Sequence, residues 1–140
     1  MGKPIIQTDA YPQKNKGNAI RRKIDLNRIC MDYGVRVCSY KSAKKLLKEI
    51  DYDPYETKNP GISFRASDGT PVILFDSDRS DLEIRFTAAH ELGHILLGHL
   101  DYRSKEKDSY PNYAEWEANF FAISIITHDI LQEYAAMTNI

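Results

Sequence analysis

The sequence predicts a compact α+β fold in one domain, a small and mostly antiparallel sheet packed on helices. Three observations predict it. A helical apolar pattern runs from Asp81 to about Gly98; two strand-like runs, Ile62 to Ala66 and Val72 to Phe75, flank an Asp68-Gly69 turn; and a helix-strand-helix pattern precedes them. The 140 residues suffice for a single core, and 42% hydrophobic with 28% charged residues is an ordinary globular balance. A formal net charge of −1 creates no broad field for nucleic acid or an anionic membrane, so neither is expected as a direct partner.

Residues 1 to 16, with Pro4 and Pro12 and no sustained period, read as a flexible N-terminal arm, and residues 17 to 140 as the folded domain. The basic cluster Lys14, Lys16, Arg21, Arg22 and Lys23 reads as a solvated helix start. Ile20, Ile24, Ile29 and Met31 give a helical stripe over Asn18 to Tyr33, and Gly34 sits where a helix stops. Val35 to Tyr40 alternates as a half-buried strand does, and Ser42 to Ile50 is rich in helix formers. Two prolines between Tyr52 and Pro60 end that helix. The two strand runs form a hairpin, the second uninterrupted by polar residues as in a strand covered on both faces. Cys30 and Cys38 lack metal or redox spacing and read as reduced thiols. With no leader pattern and no spanning stretch, a cytoplasmic location is expected.

Ser80 and Glu83 have capping-box spacing, so the next helix starts at about Asp81. Its expected buried stripe is Leu82, Phe86, Ala89, Gly93 and Leu96, with Thr87, His90, His94 and Leu97 on the neighbouring face. Gly93, costly inside a helix, predicts close packing of another backbone. His90-Glu91-Leu92-Gly93-His94 reads HExxH. Four residues apart on a helix, the two imidazoles share a face and can point at one ion. Zinc takes neutral imidazole nitrogen and, in catalytic sites, three protein ligands with a position left for water. Manganese or iron fits similar donors. Glu91, beside His90, is placed to act as general base.

A rim loop is expected from Asp101 to Pro111, then a helix from Tyr113 to Ile126, with a new cap at Thr127-His128-Asp129 restarting it over Ile130 to Met137. Glu115 and Asn119 share a face of this helix, whereas Glu117 points about 200° away. Glu115 is therefore the preferred third ligand, its competing role being a capping carboxylate that answers Asn112. Asn119 would orient a motif histidine through its free ring N–H. Tyr102, Tyr110 and Tyr113 are candidates to stabilise an oxyanion, and His99 to contact substrate, although interaction with the helix C-terminus also suits it. Trp116, Phe120 and Phe121 are expected in the core.

Ile84 to Leu97 followed by Glu115 to Ala122 resembles the ImmA/IrrE family of zinc metallopeptidases, over roughly Asn18 to Ile126. The resemblance implies a zincin-like fold, ligands at His90, His94 and Glu115, and the catalytic carboxylate at Glu91. It further implies a protein substrate, a helix-turn-helix transcriptional repressor encoded nearby. The chain departs from the family where a leucine-rich ending is usual, reading Ser124-Ile125-Ile126-Thr127-His128-Asp129 instead. The rival reading is a non-catalytic zincin-like module that binds a partner or serves a toxin-antitoxin pair, its ion holding the fold.

Overall fold

The computed structural model describes residues 24–103 and 111–138. The expected 1 to 16 arm and the basic cluster lie outside the described residues. The elements follow in the order α1 Leu26–Asp32, β1 Arg36–Ser39, α2 Lys44–Glu49, α3 Pro54–Thr57, β2 Gly61–Arg65, β3 Pro71–Phe75, α4 Asp81–Leu96, α5 His99–Arg103 and α6 Ala114–Met137.

Local chemistry sets the boundaries. Among the described residues the first helix begins at Leu26, because the Asp25 carboxylate accepts from the Arg28 N–H and caps it there, while residues 18 to 23 of the expected helix lie outside the described residues. Gly34 follows at a φ of +67°, the left-handed turn an L-residue resists. Pro54 opens α3, a single turn capped by Asp53 inside the segment expected only to break structure. The Ser80 hydroxyl accepts from the Glu83 N–H while the Glu83 carboxylate reaches back to Ser80, closing the capping box of α4. These bonds hold the Glu83 carboxyl below its ordinary range.

The three strands lie in the order β1-β3-β2. β2 and β3 form the antiparallel hairpin, while β1 runs parallel to β3, so the sheet is mixed. β3 is central and covered on both sides. Ile73 joins a core with Leu26, Ala88, Ala89 and Leu92, whereas Val72 and Leu74 join Cys38, Ala43 and Leu47 under α2. A strand buried on both faces needs the unbroken apolar run that β3 has.

α4 is held between this sheet and α6, which changes its burial from the expected single stripe. Thr87 and His94, expected on the neighbouring face, are buried, as is Glu91, while Leu82 at the solvent end is exposed. α6 continues unbroken through Thr127-His128-Asp129. Asp129 is no cap. Its carboxylate pairs with the guanidinium of Arg85 on α4, through Nε to Oδ2 and through Nη2 to Oδ1 at 2.9 Å, and both side chains are buried. Arg85 Nη2 also donates to the Ile24 carbonyl at 2.8 Å, fastening the segment before α1 to the same clamp.

The opposite surfaces of α6 differ. Ala114, Ala118 and Ala122 are wholly buried, small enough to let the helix lie close on α4. Gly93 serves that approach from the other side: a Cβ there would stand 3.1 Å from Cβ of Phe121, so a side chain, not a backbone, occupies the space it leaves. Phe121 packs on the core, but Trp116 and Phe120, expected inside, are exposed because the alanine face has taken the buried side.

Candidate metal centre

Three donors converge where α4 passes α6. His90 Nε2 and His94 Nε2 are 3.1 Å apart, Glu115 Oε1 is 3.2 Å from the first, and Glu115 Oε2 is 3.1 Å from the second. Together they form a group able to hold a metal ion. A tetrahedral ion with bonds of about 2.0 to 2.1 Å sets its ligand atoms about 3.3 Å apart, close to these separations. Two imidazole nitrogens and a carboxylate aimed at one point, with His94 fully buried, make a donor set that suits zinc.

The surroundings of the two histidines explain how the rings are held. His94 Nδ1 lies 2.8 Å from His99 Nδ1, and His99 Nε2 lies 2.8 Å from Glu117 Oε1. A carboxylate only accepts, so His99 carries its proton on Nε2 and donates it to Glu117. His99 Nδ1 is then the acceptor for the His94 Nδ1–H, which leaves His94 Nε2 with its lone pair toward the donor group. His99 is 2% exposed, so its contact with His94 is shielded from water, while Glu117 at the far end is partly exposed. It forms because Gly98, at a φ of +78°, reverses the chain after α4 and returns His99 beneath His94. His90 is held differently: its ring stacks near Phe86 at 22°, and its buried Nδ1 has no hydrogen-bond partner among the described residues.

Glu91 points to the sheet side of α4. It is buried, and its Oε1 accepts from the Ser63 hydroxyl at 2.5 Å. Ser63 is on β2, whose outer edge is unpaired among the described residues. A cleft of about 750 Å³ runs between this edge and α4, lined by Gly61, Ser63, His90, Glu91, Glu115 and Asn119 among others. At Gly61 a Cβ would stand 2.3 Å from Thr87 Cγ2, so only glycine lets β2 lie this close to α4.

The remaining candidates fall apart from this cluster. Asn119 lines the cleft but makes no hydrogen bond to either motif histidine among the described residues. Tyr113 is exposed just before α6 and does not line the cleft. Tyr110 and the side chain of Tyr102 lie outside the described residues. His99 is buried behind His94, away from the cleft lining. Ser63 and Glu117 were missed: nothing local marks Ser63, and Glu117 was set aside because it faces away from Glu115. The His99 spacing just past Gly98 was the available signal. Burial pushes the Cys30 thiol up to about 11, which leaves it protonated and unsuited to nucleophilic attack.

A buried carboxylate beside a two-histidine, one-glutamate donor group, with His90 and Glu115 facing the same open cleft, defines a metallopeptidase type of site. Residues 30–139 match the family model Peptidase_M78, the IrrE N-terminal-like domain, and the chain belongs to that family. It is also 34% identical, over 92 residues, to a protein named oligoendopeptidase F homolog from Borreliella burgdorferi (strain ATCC 35210 / DSM 4680 / CIP 102532 / B31). That match covers 64% of this chain and 15% of the relative, so the chain spans only a small part of the relative's length. No solved structure matches it. No helix among the described residues is long and apolar enough to cross a membrane.

Proposed function

We propose that the chain is a zinc-dependent endopeptidase in which His90, His94 and Glu115 hold the ion and Glu91 is the general base. The observation that carries the reading is the placement of Glu91: buried, fixed by Ser63, and lining the same cleft as His90 and Glu115, two of the three donors. An ion bound there supplies Lewis acidity toward a scissile carbonyl and acidifies water. Glu91 takes a proton from the attacking water and returns it to the leaving amine, while the unpaired edge of β2 offers backbone groups to an extended peptide. Family membership supports a protein as substrate. The specific substrate we propose is a helix-turn-helix repressor encoded nearby, cut in the cytoplasm.

The alternative, a non-catalytic partner-binding or toxin-antitoxin module, is less well supported. A purely structural ion is usually closed by four protein ligands. Here there are three donors, two of which border an open cleft, with a carboxylate suited to acid-base work beside them. The test is Glu91→Gln, which keeps the size of the side chain and removes its basicity. With the candidate repressor as substrate, cleavage is expected to fall by at least about 100-fold, the lower end of general acid-base contributions, with metal content unchanged. Cleavage at the parental rate would refute the role of Glu91.

A further inference from the structure

The outer face of α6 carries a second apolar seam that nothing in the metal site uses. Trp116, Phe120, Ile123, Ile130, Tyr134 and Met137 are all more than half exposed. Their spacing alternates four and three once exposed Thr127 is included, and Tyr113 extends it by one step at the N-terminal end. This is the heptad pattern of a helix that packs along another helix, maintained over the 24 residues of α6 and on the side opposite Ala114, Ala118 and Ala122. A patch of this length on a small domain marks an interaction surface.

We infer that the partner is a second copy of this chain, with the two α6 helices antiparallel about a two-fold axis. The seam pairs with itself in that register. Phe120 meets Ile130 of the partner subunit, Trp116 meets Tyr134 of the partner subunit, and Ile123 meets Thr127 of the partner subunit, so every layer is filled. The flanking positions agree. Their two acidic residues avoid each other, Glu117 falling opposite Leu131 of the partner subunit and Glu133 opposite Asn119 of the partner subunit. The other flanking residues Ser124, Ile126 and Leu131 carry no charge that would select a different helix. The area suffices: four aromatic side chains, each more than half exposed, with the aliphatic ones between them supply roughly 800 Å² per copy, what one side of a standard interface buries. Asn119 is both a flanking residue of this seam and part of the cleft lining, so the second copy borders the metal cleft.

Sedimentation velocity on the full chain, with Phe120→Lys and Ile130→Glu variants alone and mixed, tests both the partner and the register. The parent is expected to dimerise at micromolar concentration. Each variant alone, its helix content and metal binding intact, is expected to dissociate at least about 100-fold more readily because a charge is buried unpaired. The mixture is expected to recover the dimer, since one layer then pairs Lys with Glu and the other remains Phe with Ile. A monomeric parent, or a dimer untouched by both variants, overturns the proposal. A dimer broken by each variant and not restored by mixing overturns the antiparallel register.

Discussion

His90 and His94 stand one turn apart on α4 and aim the same ring nitrogen at the same point, yet their other nitrogens have different surroundings. His94 is fully buried, and its Nδ1 meets His99 at 2.8 Å, with Glu117 behind it. His90 borders the cleft, supported by Phe86, with its Nδ1 unpartnered among the described residues. A ring tied at both nitrogens has its tautomer and orientation set before any ion arrives. A ring tied at one can turn. The difference leaves His94 the ring with a preset orientation and His90 the adaptable one, on the side of the cleft.

What the two histidines share should matter most for stability. Arg85 and Asp129 clamp α4 to α6, and that contact brings Glu115 to both rings. Arg85→Ala leaves Asp129 buried without its partner, and a loss of about 3 to 5 kcal/mol in chemical denaturation is expected, affecting both histidines alike. A loss below about 1 kcal/mol would mean the clamp does not hold the two helices together.

Changes that separate the histidines should have smaller effects. His99→Ala removes the partner of His94 alone, and metal affinity, measured by chelator competition, should fall about 10- to 100-fold. Asn119→Ala, which removes no hydrogen bond to either ring, should change it by less than about threefold. Equal losses from the two variants would erase the distinction drawn between the rings.

The parts of this arrangement that were legible in the sequence are local ones. Ser80 and Glu83 announce the start of α4, Gly34 the end of α1, and the unbroken run from Val72 the central strand, because each pattern acts within a few residues. His90, Glu91 and His94 are legible for the same reason, and the shared face of Glu115 and Asn119 identified which carboxylate meets the histidines. The less legible features depend on distant pairings. Asp129 looks like a cap until Arg85, 44 positions earlier, is placed against it. Glu117 faces away from the metal group, but the turn at Gly98 brings His99 between it and His94. Ser63 meets Glu91 only because the β2-β3 hairpin lays β2 beside α4. The two faces of α6 show the same limit, since both read as apolar and only the packing of Ala114, Ala118 and Ala122 decides which is inside.

The central claim is that Glu115 closes the donor group and Glu117 only supports it. Cobalt(II) titration of metal-free protein tests this directly, since the visible absorption of the ion reports its coordination number and geometry. The parent is expected to take up one equivalent with an intense low-coordinate spectrum. Glu115→Gln is expected to weaken uptake by at least about 100-fold and alter the spectrum, while Glu117→Gln retains the spectrum with no more than a tenfold loss of affinity. Unchanged binding in Glu115→Gln, or a lost spectrum in Glu117→Gln, would contradict the account.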